Sequence, residues 1–238
     1  MTAWVFDVDG VLCNTNELAT QEFRIWFQNW SQNRRYYLVT GGRREKTILQ
    51  LGQDIVDGAE MLFNCIGNCV WQHGEETRVN QFTLTQQEES WLKVMLATSK
   101  FPLRTGWHID LREGSMNFSI VGRNADLVQR AQYRTWDQQH QERAGIARDF
   151  VTMFPRFEAY LGGDTSIDIC LRGANKGRCV DVIRTHAQDH IFFFGDKCHP
   201  GGIDEPFVKR CSEDLGDRIF HVSGYQETWN ILNAIYST

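Results

Sequence analysis

The first third of the chain alternates between short apolar runs and longer amphipathic segments. The first run, Ala3–Phe6, has the β-favouring residues of a buried strand. The segment after it, "NELATQEFRIWFQNW", carries apolar residues at near-helical spacing: Leu18, Phe23, Trp26 and Trp30. "YYLVT" and "EKTILQLG" then repeat the strand-like and helix-like patterns. This β-α-β-α order predicts a parallel sheet, whose ligand sites lie beyond the carboxyl ends of the strands.

The middle third has a different pattern. Thr85 and Glu88 have capping-box spacing, and the apolar positions that follow predict a helix through "TQQEESWLKVML". "GWHIDLREGSMNFSIVGR" and "FEAYLGGDTSIDICLRG" each contain two strand-like stretches around glycine-containing turns. Helices combined with such strand pairs predict an α+β unit.

The last third returns to the first pattern. "KGRCVDVIRTH" predicts a helix, "HIFFFGD" a buried strand that ends at Asp196, "RIFHVSG" another strand, and "ETWNILNAIY" a closing helix. We therefore predict an α/β core with a parallel sheet over residues 1–77 and 173–238. An α+β cap is inserted between these segments, over residues 78–172.

Composition excludes several classes of partner. With 238 residues and 42% hydrophobic content the chain has enough apolar side chains for a substantial core. Its net charge of −5 argues against nucleic acid and acidic membranes as partners, because both normally require a basic face. The seven cysteines show no metal-site or disulfide spacing, which favours reduced thiols. With neither a secretion-signal pattern nor a long apolar run, we expect a cytoplasmic protein.

Acidic residues stand where the predicted strands end, although strand packing does not require them there. Six polar residues are grouped on this ground, four of which stand just after predicted strands of one sheet: Asp7, Asp9, Thr40, Lys176, Asp196 and Asp204. Carboxylates that converge repel one another unless a cation is present, and hard oxygen ligands suit Mg²⁺ bound together with a phosphate. Taken singly, "DVDG" could be a simple turn and "GDKCHPGGID" a polar loop. Their occurrence together in this order favours a magnesium site.

Four segments resemble, in order, the motifs of the haloacid dehalogenase (HAD) superfamily of phosphotransferases. They are "DVDGV", "VTGG", the lysine of "ANKGR", and "FFFGDKCHPGGID". Together with "GSMNFSIVGR" and "GGDTSIDI", the last motif is similar to that of the eukaryotic-type phosphomannomutase family. The resemblance spans nearly the whole chain and implies a Rossmann-like core.

The resemblance implies phosphoryl transfer through an aspartyl-phosphate intermediate. Asp7 would be the nucleophile, which divides one difficult displacement into two easier ones. Asp9 would be the general acid and base for the sugar oxygen. Thr40 and Lys176 would hold the transferring phosphoryl oxygens.

The resemblance also implies a Mg²⁺ site. Its ligands would be Asp7, the backbone carbonyl of Asp9, and Asp196, with Asp204 supporting the outer shell. A hexose 1,6-bisphosphate would serve as an activator, and a homodimer through the cap is implied as well.

Arginines in the insertion suggest how a substrate would be held. Arg112, Arg123 and Arg130 lie around "GSMNFSIVG", and the arginine side chain suits bidentate phosphate binding. Each alone could be a solvated surface charge. By resemblance, Arg123 and Arg130 would bind a phosphate on the far end of a sugar, with Arg112 nearby. Ser166 and Asp168 would bind that phosphate and the sugar hydroxyls.

The chain departs from the family at three places near this path. Asn16 and Arg43 stand where the family has arginine and serine, and Cys65–Cys69 replaces an "ENG" stretch. The favoured function is a hexose 1-phosphate/6-phosphate mutase acting on a sugar phosphate such as mannose phosphate. The altered positions leave a sugar-phosphate phosphatase as the alternative. A sugar-phosphate-binding protein without catalysis is a third possibility, which the complete set of motif acids disfavours.

Overall fold

A computed structural model describes residues 2–186, 190–211 and 215–236, which form two β-sheets flanked by helices. The strands are β1 (Thr2–Asp7), β2 (Tyr36–Val39), β3 (Met61–Asn64), β4 (Cys69–Gln72), β5 (Glu75–Arg78), β6 (Ile109–Arg112), β7 (Ser115–Phe118), β8 (Phe157–Gly162), β9 (Ser166–Leu171), β10 (His190–Gly195) and β11 (Arg218–His221). The helices are α1 (Gln21–Ser31), α2 (Arg44–Leu51), α3 (Gln53–Asp57), α4 (Gln86–Thr98), α5 (Leu127–His140), α6 (Glu142–Met153), α7 (Gly177–His186), α8 (Glu205–Arg210) and α9 (Tyr225–Tyr236). A short 3₁₀ turn occupies Cys65–Gly67.

The larger sheet has the strand order β11-β10-β1-β2-β3-β4-β5. The five strands β11, β10, β1, β2 and β3 are parallel, and β4 and β5 extend the sheet at one edge as antiparallel strands. Alternate residues of β1 point to opposite faces, so that Phe6 packs with α1 and α9 while Val5 packs with α7 and α8. A parallel sheet covered on both faces confirms the predicted α/β core.

The smaller sheet, β6-β7-β9-β8, is antiparallel throughout. One hydrophobic cluster joins it to α4, α5 and α6 through side chains such as Leu92, Tyr133 and Phe150. Helix α4 has the predicted capping box, because Glu88 N donates to Thr85 Oγ1 at 3.3 Å and Thr85 N donates to Glu88 Oε2 at 2.7 Å. The two strand pairs predicted from the sequence are the hairpins β6–β7 and β8–β9. Domain limits at residues 77 and 173 stay predictions.

Helix α1 begins later than the apolar spacing suggests. The prediction that Leu18 belongs to its apolar face is wrong, because the helix begins at Gln21, after the N-cap Thr20, and Leu18 is 62% exposed. Asn16 has a left-handed backbone with φ of 63°, which removes it from a continuous helix. A capping threonine therefore overrides the hydrophobic spacing.

The 3₁₀ turn after β3 lies where the two sheets meet. Its Cys65 and Ile66 have φ values of 50° and 63°, a left-handed conformation that is costly for a β-branched residue. Ile66 is fully buried against Cys170, Ala174 and Ile203. Tertiary packing therefore holds this turn in place. Among the helices described here, none is long and apolar enough to cross a lipid bilayer.

Candidate active site

A cleft between the two sheets opens at the carboxyl ends of β1, β2 and β10. Because β1 lies between β2 and β10 and runs parallel to both, the residues that follow these strands meet at one edge. The cleft measures about 630 Å³, including the part open to solvent. The predicted site residues that line it are Asp7, Asp9, Thr40, Arg112, Arg123, Arg130, Ser166, Asp168, Lys176 and Asp196. Asp204 is fully buried, directly behind Lys176.

Lys176 joins two acids from opposite ends of the chain. Its Nζ donates to Asp7 Oδ1 at 2.8 Å and to Asp204 Oδ1 at 2.7 Å. Lys176 and Asp204 are completely buried, and Asp7 is 4% exposed. Burial acts to lower the pKa of Lys176, but the charges of Asp204 and Asp7 outweigh it and raise that pKa. The lysine is therefore a permanent positive charge beside Asp7.

Asp7, Asp196 and Asp204 form a compact acidic group, in which one carboxylate oxygen from each residue lies within 4.8 Å of the other two. Burial raises the pKa of Asp7, and so do the charges of Asp204 and Asp196, while Lys176 acts in the opposite direction. Burial likewise raises the pKa of Asp196, although Lys197 contacts its carboxylate. Three carboxyl groups therefore lie beside only two contacting lysines, Lys176 and Lys197. Such a cluster of carboxylate oxygens provides the ligands that a hard divalent cation prefers.

Asp9 is outside that acidic group and has its own partners. Its Oδ2 accepts from Lys46 Nζ at 2.6 Å, and its Oδ1 accepts from Gln50 Nε2 and from the backbone N of Asn16, each at 2.8 Å. Burial would raise the pKa of Asp9, but Lys46 and these hydrogen bonds outweigh burial and lower it. Asp9 is thus a fixed, ionised carboxylate at the cleft wall. A role for its backbone carbonyl as a metal ligand stays a prediction.

Thr40 directly follows β2 and lines the same cleft as Asp7 and Asp196. Its Oγ1 accepts from the backbone N of Gly42 at 3.1 Å, which fixes the side chain and leaves the hydroxyl proton available to a ligand. The backbone of Thr40 is held between Phe63 and Ile66. The hydroxyl can therefore donate to an oxygen bound beside Asp7.

The three arginines reach the cleft from the second sheet. Arg112 Nη1 donates across the cleft to the carbonyl of Gly41 at 2.6 Å. Arg123 Nη1 donates to Asn117 Oδ1 at 3.0 Å, and Arg130 Nη1 donates to Thr165 Oγ1 at 3.1 Å. Burial lowers the pKa of Arg123 and of Arg130. The structure therefore gathers partly desolvated positive charge opposite the acids, as an anion site requires.

Ser166 and Asp168 begin β9 beside these arginines. Asp168 is 4% exposed and accepts from Asn117 Nδ2 at 2.9 Å and from Arg112 Nη1 at 3.4 Å. Ser166 Oγ donates to the carbonyl of Gly162 at 3.1 Å. Gly162 must stay glycine, because a Cβ there would lie 1.6 Å from Asp168 Oδ2. Both side chains are held by the backbone and by neighbouring side chains at the cleft wall.

Sequence reasoning missed several residues that line or support the cleft. They are Lys46, Gln50, Asp110, Asn117 and Lys197. Lys46 and Gln50 lie four residues apart on α2, so they share one helix face. That spacing was available in the sequence, but the side of α2 that faces Asp9 was not.

The family model described as eukaryotic phosphomannomutase matches residues 23–237. The phosphomannomutase of Saccharomyces cerevisiae is 29% identical over 216 residues, which cover 87% of this chain and 85% of the yeast protein. Phosphomannomutase 1 of Mus musculus is 27% identical over 212 residues, which cover 84% of this chain and 80% of the mouse protein.

Solved structures with the same fold have more distant sequences. The C-terminal domain of trehalose-6-phosphate phosphatase from C. albicans matches with a TM-score of 0.68 and 14% identity, covering 99% of this chain and 92% of that one. IMP-nucleotidase of Plasmodium falciparum matches with a TM-score of 0.66 and 13% identity, covering 100% of this chain and 68% of that one. At these identities the likeness establishes the fold.

Proposed function

We propose a function from one premise: the chain belongs to the eukaryotic phosphomannomutase family. It is accordingly an enzyme of the HAD phosphotransferase type. We propose that it is a mutase that moves a phosphoryl group between the 1- and 6-positions of a hexose, with mannose phosphate as the favoured substrate. The observation that carries the proposal is one cleft with an acid-lined floor and an arginine-lined opposite wall.

Asp7 is the proposed nucleophile. One carboxylate oxygen is held by Lys176 at 2.8 Å, which orients the group and leaves the other oxygen to attack phosphorus. A bond forms between that oxygen and phosphorus while the bond from phosphorus to the sugar oxygen breaks. Lys176 and the Thr40 hydroxyl would stabilise the charge on the transferring phosphoryl oxygens.

Asp9 is the proposed general acid and base. As an ionised carboxylate it would first take the proton of the attacking sugar hydroxyl, and in the other half-reaction it would return that proton to the departing sugar oxygen. The contacts from Lys46 and Gln50 hold its carboxylate in one orientation. Such preorganisation lowers the cost of reaching the reacting geometry.

The acidic group of Asp7, Asp196 and Asp204 fits Mg²⁺. One oxygen from each residue lies within 4.8 Å of the other two, and carboxylate oxygens are the hard donors that this cation prefers. Asp7 and Asp196 would hold the ion, while Asp204, paired with Lys176, would support them. Bound Mg²⁺ would offset the repulsion between the carboxylates and a substrate phosphate.

We expect Mg²⁺ to stabilise the folded protein, because it binds an acidic group that exists only in the native state. At ten to one hundred times its dissociation constant, Mg²⁺ should raise the free energy of unfolding by roughly 1.4–2.7 kcal/mol. Differential scanning fluorimetry with and without MgCl₂ measures the effect. Asp196→Asn should abolish most of the shift, and the matched change Asp57→Asn, at a surface ion pair with Arg44, should retain it. An equal shift in both variants would place the cation elsewhere.

The second sheet is proposed to bind the far end of the substrate. Arg123 and Arg130 would hold the phosphate that does not react, with Arg112, Ser166 and Asp168 beside it. A mutase needs such a site, because its bisphosphate intermediate must present either phosphate to Asp7. Closure over the ligand would also exclude water, which otherwise hydrolyses the phosphoenzyme.

Further features are proposed from the family alone. A hexose 1,6-bisphosphate would act as activator, because it can phosphorylate Asp7 at the start of turnover. A homodimer through the second sheet and its helices stays a prediction; Trp107, Leu127 and Val128 are exposed apolar side chains there.

A sugar-phosphate phosphatase is the second candidate. It would use the same residues with water as the final acceptor. The specific observation is Asn16, which lines the cleft where the family has an arginine, so the chain has less positive charge beside the reacting phosphate.

One assay distinguishes these functions. The purified protein is incubated with Mg²⁺ and mannose 1-phosphate, with and without a hexose 1,6-bisphosphate, and both free phosphate and mannose 6-phosphate are followed by ³¹P NMR. A mutase yields mannose 6-phosphate without free phosphate and is accelerated by the bisphosphate. Phosphate release under both conditions identifies the phosphatase. No reaction across a panel of sugar phosphates would contradict both and leave a binding function.

A further inference from the structure

Asp110, on strand β6, is surrounded by arginines. Its Oδ2 accepts from Arg112 Nε at 3.0 Å, and its Oδ1 accepts from Arg43 Nη1 at 3.1 Å and Nη2 at 3.2 Å. Arg123 Nε lies 3.9 Å from Oδ2. The Asp110 side chain is 11% exposed. One partly buried carboxylate therefore contacts three guanidinium groups.

These arginines need an acid between them. Burial lowers the pKa of Arg123, and the nearby charges of Arg112 and Arg130 lower it further, while Asp110 acts in the opposite direction. Without Asp110, the like charges at the cleft wall would repel one another, and Arg112 and Arg123 would lose an orienting partner. Asp110 does not itself line the cleft, so it acts through the arginines that do.

Arg43 lies in the loop between β2 and α2, on the side of the larger sheet. It precedes α2 and stands three residues after Thr40. Besides Asp110, its guanidinium donates to the carbonyl of Leu111 on β6. In the opposite direction, Arg112 of β6 donates to the carbonyl of Gly41. The two arginines thus cross between the Thr40–Arg43 loop and β6.

The turn between β6 and β7 makes a neighbouring contact. Cys65 Sγ donates to Glu113 Oε2 at 3.3 Å, and Cys65 is 1% exposed. A Cβ on Gly114 would lie 2.4 Å from the Cβ of Asn68. The turn of the β6–β7 hairpin therefore packs over the 3₁₀ turn, next to the Arg43–Asp110 pair.

We propose that Arg43 and Asp110 are positioning residues: their ion pair fastens β6 to the Thr40–Arg43 loop and thereby sets Arg112 and Arg123 for the substrate's distal phosphate. This inference rests on the proposed function for its effect on the substrate. Its structural part, the closure of the hairpin over Cys65, does not. The family has a serine at the position of Arg43, and a serine could not form this ion pair. We call the Arg43–Asp110 ion pair the brace.

The kinetic test uses Arg43→Ser, Asp110→Asn and the double variant, with mannose 1-phosphate as substrate. Each single change should raise KM by about fivefold or more and alter kcat by less than about twofold, because it loosens binding groups and leaves the reacting groups in place. The double variant should show much less than the product of the two single effects. Arg44→Ser is the matched control. The Arg44 guanidinium pairs with Asp57 at 3.2 Å, and its Cζ lies 4.4 Å from the ring centroid of Trp71 on β4, so these contacts stay within the α/β core. Multiplicative effects, or an equal effect of Arg44→Ser, would overturn the proposal.

The structural test needs no activity. Alkylation by N-ethylmaleimide is mapped by mass spectrometry in the ligand-free protein, with Cys65 as reporter of hairpin opening and fully buried Cys179 as reporter of global unfolding. Arg43→Ser should accelerate labelling of Cys65 by about fivefold or more relative to the parent and to Arg44→Ser, with Cys179 unchanged. Unchanged labelling of Cys65 refutes the brace even if the mutase assignment holds. Accelerated labelling with no activity on any sugar phosphate supports the brace and refutes the function.

Discussion

Asp7→Asn is expected to abolish phosphoryl transfer, with a loss of roughly 10⁴-fold or more in kcat. The amide is nearly the same size as the carboxylate but cannot attack phosphorus. The 2.8 Å contact from Lys176 to Oδ1 can be kept by the amide oxygen, so the site should keep its shape. Steady-state turnover of mannose 1-phosphate measures the loss, and quenched-flow labelling with a ³²P-hexose bisphosphate measures the phosphoenzyme.

Two comparisons make this result specific. Asp9→Asn removes the proposed acid and base but leaves Asp7, so it should slow turnover while still allowing acid-quenched protein to retain radioactive label. Asp149→Asn changes an exposed aspartate of α6 that pairs with Arg148 at 2.9 Å, outside the cleft, and it should stay within about threefold of the parent, as surface changes usually do. If the Asp7→Asn protein kept even a few per cent of parental turnover with normal unfolding, Asp7 would not be the nucleophile.

The convergence at Asp7 could be predicted because strand order determines it. Apolar runs around Asp7, Thr40 and Asp196 identified three strands, and a parallel arrangement brings their carboxyl ends together. The order of strands and helices along the chain was enough to place the three strands in one sheet, without any knowledge of side-chain contacts. For the same reason, the α/β core and the two hairpins of the second sheet were foreseeable.

The supporting residues could not be predicted, because they depend on which faces meet. Lys46 and Gln50 lie on α2, an amphipathic helix, where charged side chains are usually solvated. Asp110 lies on a short strand and would ordinarily face solvent as well. Only the packing of α2 against the Asp9 loop, and of β6 against the Thr40–Arg43 loop, turns these polar residues toward the site.

Lys176→Met is expected to destabilise the protein by roughly 3–5 kcal/mol in the absence of Mg²⁺. Methionine fills a similar volume but leaves Asp7 and Asp204 as unpaired carboxylates in a fully buried position. Urea denaturation at neutral pH measures the change in the free energy of unfolding. Lys46→Met is the matched control, because Lys46 makes an equally short contact with Asp9 but its side chain is 32% exposed. Its cost should be about 1 kcal/mol or less.

The pH dependence of this loss separates charge from packing. The pKa of Lys176 is raised, so its contribution is fully present below the ordinary lysine value of about 10.4 and is lost as pH rises through the folded-state pKa. Burial raises the pKa of Asp7, and without the positive charge of Lys176 the Asp7 carboxyl of the variant should take up a proton more readily still. Acidification from neutral pH should therefore reduce the difference in unfolding free energy between parent and variant. Adding Asp204→Asn to Lys176→Met should recover part of the loss, because it removes one buried charge. A pH-independent difference with no recovery would mean that Lys176 stabilises the fold by filling space, and its role as the charge between the two acids would be wrong.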